Sequence, residues 1–193
     1  MKLLFVNSCI SQRGESSRTL ALAKAFLEAL SAAEVEEVTP EALLALKPFD
    51  VEMLNARDEL QRAGKFDDPM YDLARQFCAA EAVVVAAPYW DLSYPAALRT
   101  YIEHISANGV AYHYDEYGPH GDAKAKRLVY LTSGGDFEHE DSVGVVHWRQ
   151  LCAMFGIEQF DYVFAGGLDI DPAQTPELLE AACEVARQLA KTF

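Results

Sequence analysis

Short apolar runs alternate along this chain with stretches whose apolar residues recur every three or four positions. "KLLFV", residues 2 to 6, is a continuous apolar run, the pattern of a strand buried on both faces. From Ser17 onward Leu20, Ala23, Leu27 and Leu30 keep a helical period. "AEVEEVT" reads as a second strand, more polar and so nearer an edge. Residues 40 to 70 hold Pro40, Pro48, Gly64 and Pro69 and read as irregular, a short helix plus a mobile segment. "MYDLARQFCAAE" is helical, and "AVVVAA" is the plainest strand of all. Leu98, Tyr101, Ile102 and Ile105 stand at i, i+3, i+4 and i+7, which predicts one buried helix face. The aromatic, Gly-rich stretch 109 to 123 reads as loop. "RLVYLTS" then supplies a fourth strand, a helix follows from about Val143, and "FDYVFAG" is the fifth strand. The last helix carries Leu178, Ala182, Val185 and Leu189, with Asp171 and Pro172 just ahead of it.

Strands that alternate with helices imply right-handed crossovers and a parallel sheet. Five of them predict a flavodoxin-like, doubly wound α/β sheet in the order 2-1-3-4-5, with helices on both faces and one domain over residues 1–193. Ligands of such sheets bind outside the carboxyl ends of the strands, where the order reverses between the first and the third. The loops at that edge therefore carry the functional reading.

Composition narrows the classes of partner. Hydrophobic residues make up 51% of the 193, enough for a sizeable core. A net charge of −14 argues against a nucleic-acid groove, which needs clustered Lys and Arg to displace counterions, and against an anionic membrane surface. The opening apolar run stops at Asn7, too soon for the core of a signal peptide, and no stretch approaches a membrane span. Cys9, Cys78, Cys152 and Cys183 form no CxxC pair. That excludes the usual zinc and dithiol signatures and fits free thiols in a reducing, cytoplasmic setting.

Three loops meet at the carboxyl edge. The first, "NSCISQRGESSRTL", has neither GxGxxG nor GxxxxGK[ST]. It offers Ser8, Ser11, Ser16, Ser17 and Thr19 with Arg13 and Arg18, leading into a helix N-terminus, which suits one phosphate monoester. Alone, the loop is equally an ordinary N-cap at Ser16 or Ser17; two of only 16 basic residues sitting here in so acidic a chain favour an anion. The second loop, Pro88 to Leu92, places Tyr89 and Trp90 at a strand end. Aromatics are more often core, yet flat side chains at this edge suit a flat conjugated ring. Pro95 fits the first turn of the helix that follows. The third, "TSGGDFEHED", sets Ser133, Gly134 and Gly135 where a backbone can approach a ligand, or simply where a turn is flexible. Together the loops describe one phosphate, one flat ring and one donor shelf, the shape of FMN.

Other chemistries find less support. His139, with Glu138, Glu140 and Asp141 and with His147 further on, lacks HExxH or comparable spacing, so no metal is expected and an acidic exposed loop is the simpler account. His113 and His120 flank the aromatic loop, where residues can touch substrate but are more often simply exposed. No GxSxG follows any strand, which leaves no case for a serine nucleophile.

Four segments then carry a family resemblance. "RGESSRTLA" resembles a phosphate loop and its helix, and "VVVAAPYWDLSYPAALRTYIE" resembles a strand, an AAPMYNF-type flavin loop and the helix after it. "GVAYHYDEYGPHG" matches a Gly, aromatic, Gly-Pro, Gly pattern, and "VYLTSGGD" with the later "FGI" and "YVFAGG" covers the last two strand regions. In this order they resemble the FMN-dependent NADH:quinone oxidoreductase and azoreductase family, most strongly in the second and third segments and least from about 40 to 70. The resemblance implies FMN as cofactor, NADH or NADPH as co-substrate, a quinone or azo compound as acceptor, ping-pong transfer of two electrons, and a homodimer. It implies that Ser8 or Cys9, with Ser16, Ser17 and the adjoining Arg18, hold the phosphate and ribityl end. Pro88, Tyr89, Trp90, Asp91 and Leu92 would flank the isoalloxazine, and Ser133, Gly134, Gly135 and Asp136 would contact its other edge. Tyr112 would wall the substrate pocket, reaching across the dimer, with Phe137 beside it.

Three positions depart from the family's pattern. Cys9 stands where Ser is usual, Asp91 where Asn is usual, and SGGD replaces a basic residue after the third-loop serine. A carboxylate at Asp91 opposes negative charge on a reduced ring and so lowers its potential unless it is protonated or paired. Two rival readings follow: a flavin-binding electron carrier or redox sensor without dehydrogenase activity, and a cofactor-free flavodoxin-like scaffold. The long, arginine-containing first loop favours the reductase over the carrier. A phosphoacceptor receiver would need acidic residues after the first strand, where Asn7 and Ser8 stand.

Overall fold

The structure, a computed structural model, describes residues 1–11, 13–31, 33–137 and 141–193. Strand β1 (Lys2–Asn7) lies between β2 (Glu34–Val38) and β3 (Ala82–Ala86) and runs parallel to both, with Val6 opposite Val38 and Val85. A separate antiparallel hairpin, β4 (Tyr112–Asp115) and β5 (Gly118–Gly121), precedes β6 (Arg127–Ser133) and β7 (Gln159–Ala165). The sheet reads β2-β1-β3-β6-β7, all parallel, which is the doubly wound order 2-1-3-4-5 once the hairpin is set aside.

Continuous apolar strands feed two cores because successive side chains leave opposite faces of the pleat. Leu4, Val6, Val83, Val85, Leu128 and Tyr130 enter one core. It also takes Phe77 of α4 (Asp72–Ala79), the predicted stripe Leu98, Tyr101, Ile102 and Ile105 of α5 (Ala96–Ile105), and Trp148 and Phe155 of α6 (Val143–Phe155). Leu3, Phe5, Val84, Ala86, Val129 and Leu131 enter the other, with Leu22, Ala23 and Phe26 of α1 (Arg18–Ala29) and Cys183, Ala186 and Ala190 of α7 (Thr175–Lys191). Each large side chain so enclosed contributes about 1.5–3 kcal/mol. β2 keeps Glu34, Glu36 and Glu37 exposed, charges that discourage further pairing at that edge.

Four expectations need correction. Residues 40 to 70 form ordered helices, α2 (Pro40–Ala45) and α3 (Val51–Arg62), then a 3₁₀ turn at Pro69–Tyr71. α3 buries no residue fully, so it lacks the apolar stripe that reveals a helix. It is capped by Asp50, whose Oδ1 accepts the Met53 N–H at 2.8 Å, and tied down by Arg57, which donates to the carbonyls of Ser106 (2.9 Å) and Glu103 (3.3 Å). The stretch 109 to 123 contains the β4–β5 hairpin, whose turn is held by Asp115 accepting the Tyr117 N–H at 2.7 Å. The inward stripes of α1 and α7 are rotated from those expected: Leu20, Leu27 and Leu30 are only partly buried, while Val185 is exposed and Leu178 borders an outer groove along β7. Pro95 is the N-cap of α5, one position before the first turn. Among the described residues no helix is long and apolar enough to cross a membrane.

Candidate functional site

At the end of β1 the Asn7 side chain turns the chain: its Oδ1 accepts the Cys9 N–H (3.1 Å) and its Nδ2 donates to Glu37 Oε1 (2.8 Å). Ser8 donates its N–H to the Ala86 carbonyl at 2.8 Å, and its buried hydroxyl has no partner among the described residues. Burial pushes the Cys9 thiol up to about 11 against an opposing hydrogen bond with Ser17, so it stays a thiol and is no nucleophile. A 3₁₀ turn, Gly14–Ser16, leads to Ser17, whose Oγ accepts the Leu20 N–H at 3.3 Å. Ser17 is thus the N-cap of α1, while the exposed Ser16 hydroxyl donates to the Arg13 carbonyl at 2.8 Å. The remaining first-turn N–H groups of a helix have no acceptor within it, which suits an anion.

The loop after β3 is pinned to its neighbours. Tyr89 donates its N–H to the Ser133 carbonyl at 2.9 Å and sets its ring edge-on to Phe164, centroids 5.3 Å apart. Trp90 and Ser93 exchange two backbone hydrogen bonds (3.2 and 2.7 Å) around a two-residue turn, with Asp91 at φ 51° and Leu92 at φ 61°. Left-handed backbone costs a non-glycine residue about 1–2 kcal/mol, so this turn is held at an expense of stability that leaves Trp90 38% exposed at the rim. Behind it, burial pushes Tyr94 up to about 12, and its hydroxyl is hydrogen-bonded to Nδ1 of His147. Burial, then the Arg99 charge, hold the His147 imidazole below its ordinary range.

The loop after β6 makes a shelf. Ser133 Oγ and Thr19 Oγ1 are hydrogen-bonded at 2.6 Å, and Gly134 donates its N–H to the Ala165 carbonyl at 3.0 Å. A Cβ at Gly134 would lie 3.1 Å from the Tyr89 ring and 3.0 Å from that of Phe164; one at Gly135 would lie 2.4 Å from Oδ2 of Asp169. Asp169, beyond β7, accepts Nη1 of Arg18 at 2.7 Å, while the same nitrogen reaches the Leu168 carbonyl at 3.2 Å. That hydrogen bond, with the charges of Arg18 and Arg13 behind it, keeps the Asp169 carboxyl below the usual carboxylate range.

These loops enclose a cavity of about 410 Å³ lined by Ser11, Arg13, Ser17, Arg18, Thr19, Pro88, Tyr89, Trp90, Ser133, Gly134, Gly135 and Asp169. The volume lies within the roughly 300–1,000 Å³ typical of cofactor sites. Of the residues singled out from sequence, Ser11, Arg13, Ser17, Arg18, Thr19, Pro88, Tyr89, Trp90, Ser133, Gly134 and Gly135 come together here. Ser8 and Cys9 lie buried behind the lining, and Ser16 lies outside it on the surface. Asp91 and Leu92 project as an exposed tip, Leu92 at 72%. Asp136 accepts the Phe137 N–H at 2.8 Å, and Phe137 is exposed beside Gly167. Tyr112 sits on β4, half-buried against the α5–α6 core, away from this cavity. Glu138, His139 and Glu140 lie outside the described residues.

Asp169 escaped the sequence reading. Its only signal was an acidic residue directly after "GGL" at the carboxyl end of the fifth strand. The donor set fits the group it was expected to hold: hydroxyls and two guanidinium groups at one end beside the Asp169 carboxylate, a glycine shelf without side chains of its own between, and Tyr89 with the exposed Trp90 at the other.

A doubly wound parallel sheet with one such cleft at its switch point defines a flavodoxin-like α/β protein. The flavodoxin-like fold family matches residues 1–190. An FMN-dependent NADH:quinone oxidoreductase from Clostridium perfringens is 30% identical over 202 residues, covering 100% of this chain and 99% of its own length. The crystal structure of an azoreductase from Bacillus anthracis superposes with a TM-score of 0.86 at 26% identity, covering 100% of both chains. A second structure, an FMN-dependent NADH-azoreductase from Bacillus anthracis in complex with FMN, has a TM-score of 0.80 at 22% identity over 98% of this chain and 100% of its own, and bears on the fold alone. The chain belongs to the flavodoxin-like fold family, in the group that holds the FMN-dependent NADH:quinone oxidoreductases and azoreductases.

Proposed function

We propose that this protein is an FMN-dependent oxidoreductase that takes two electrons from NADH or NADPH and passes them to a quinone or azo compound. The observation that carries this reading is the single cavity running from Arg13, Ser17 and Arg18 to Tyr89 and Trp90, which offers a phosphate end and a flat-ring end in one cleft. FMN, when bound, supplies the electron-transfer chemistry; the chain supplies binding and orientation. Ser17, Arg18 and the first turn of α1 would hold the phosphate. Gly134 and Gly135 would let backbone approach the ring edge, and Trp90 would offer a flat surface to it. Donor and acceptor are both planar and would share one stacking place, so they would take turns in a ping-pong order. A homodimer would complete the pocket, the role the family resemblance gives to Tyr112.

Colour tests the assignment most directly. The purified protein is expected to be yellow, to release FMN on denaturation, to bleach on mixing with NADH under anaerobic conditions, and to recover its absorbance on adding a quinone. Protein that stays colourless and whose melting temperature ignores saturating FMN would overturn the assignment. Bleaching without recovery on quinone or azo dye would leave a flavoprotein of another kind.

A further inference from the structure

The cavity holds two cations, Arg13 and Arg18, and among the described residues one carboxylate, Asp169. Arg13 has no ion pair among the described residues, whereas Arg18 is already engaged by Asp169 Oδ1 and the Leu168 carbonyl. The backbone that carries the acid is fixed. Its segment is zipped to the glycine shelf: Gly167 donates its N–H to the Asp136 carbonyl (2.6 Å), Leu168 to that of Gly134 (3.3 Å) and Asp169 to that of Gly135 (3.1 Å). The carboxylate lies over Gly135, in space that any side chain at 135 would fill.

From this arrangement we infer that Asp169 is an internal counter-anion that competes with the ligand's phosphate for Arg18, and so sets how much of the flavin affinity comes from the phosphate. The inference rests on the proposed function and deepens it. A phosphate arriving at α1 meets a negative charge already at the guanidinium, and two anions beside one cation repel each other. Arg18 exchanges partners, and Asp169, already largely in water, is left there. Binding of the phosphate is diminished by the worth of an exposed ion pair, which corresponds to about a two- to fivefold loss of affinity. A flavin without phosphate demands no exchange and escapes this penalty. Asp169 is thus a specificity-determining residue for the phosphate end, with no part in the electron transfer.

Asp169→Asn keeps the shape and an acceptor oxygen for Arg18 while removing the charge. Apoprotein of both forms is titrated with FMN and with riboflavin, following the quenching of flavin fluorescence, and melted with and without inorganic phosphate. The variant is expected to bind FMN about two- to fivefold tighter, to bind riboflavin unchanged, and to gain more melting temperature from phosphate than the unaltered protein. Weaker FMN binding in D169N would overturn the inference, because Asp169 would then be positioning Arg18 for the phosphate. An equal change for both flavins, or none for either, would overturn it as well. If the unaltered protein takes neither flavin, the proposed function falls, and the phosphate melts alone decide on Asp169: a larger rise in the variant supports competition, and an equal or smaller rise refutes it.

Discussion

Asp91 is a residue placed by strain at a position where, on the proposed function, it would tune chemistry. It sits at φ 51° in a turn fastened by the Trp90–Ser93 backbone pair, and its carboxylate is exposed beside the ring that reaches the cavity rim. Asn tolerates left-handed backbone well, so Asp91→Asn keeps the turn while removing a negative charge from the rim of the cavity proposed to hold the flavin. Reduction adds negative charge to the ring, and a nearby carboxylate opposes it. The variant's two-electron potential, read by redox titration of FMN-loaded protein, is expected to rise by about 20 mV, equivalent to about 1 kcal/mol. Equal potentials in the two forms would refute any electrostatic role for Asp91. In the sequence this position stood out only through the family resemblance, as an acid where Asn is usual. Its left-handed backbone did not, because neither Asp91 nor Leu92 is glycine and only the closure of the loop imposes φ > 0.

Among the elements, the β4–β5 hairpin packs against α6 at a distance that leaves no room for a Cβ. Gly121, at the end of β5, meets the last turn of α6, and a Cβ there would lie 2.0 Å from Gly156 N and from the Phe155 carbonyl carbon. Gly156 in turn closes α6 at φ 77°. Both clashing groups are backbone, so no rotamer can relieve them. Gly121→Ala should therefore lower stability by about 3 kcal/mol or more, the scale of severe overpacking. Chemical denaturation checks this, and a loss below about 1 kcal/mol would show that the hairpin moves freely off α6. The hairpin itself was hidden in the sequence because Gly118, Pro119 and Gly121 are poor strand formers; pairing across Asp115–Gly118 overrides their preference. α3 was hidden for the opposite reason, since a helix that buries no residue fully shows no apolar stripe.

For the molecule as a whole, stability couples to pH through His147. Burial, then Arg99, depress its folded pKa, so the unfolded chain binds a proton more readily than the native state does. The stabilisation is full above the unfolded value of about 6.5 and is lost as pH falls through that value toward the folded one. Asp115 and Asp169, both held low, titrate below that window. Melting temperature is expected to drop between pH 7.5 and 5.5, and to drop less in His147→Gln, which cannot take up that proton. Identical drops in both proteins would place the pH sensitivity elsewhere.

Local pattern determined the five strands of the parallel sheet, the helices that carry an apolar stripe and the three loops at the sheet's carboxyl edge, because periodicity and apolar runs are properties of neighbouring residues. "AVVVAA" and the Leu98–Ile105 stripe were legible for that reason, and so were the glycines of the shelf and the aromatic pair at the end of β3. Only the tertiary structure decided which loop residues face the cavity and which turn away. Ser8 and Ser17 look alike in sequence; the first is drawn inward by its bond to Ala86, and the second caps α1 at the opening. The pairing of Arg18 with Asp169, 151 positions apart, could arise only once α1 and the end of β7 were brought side by side. Charge at a site is a sum over all that the fold gathers there, and no stretch of sequence contains it.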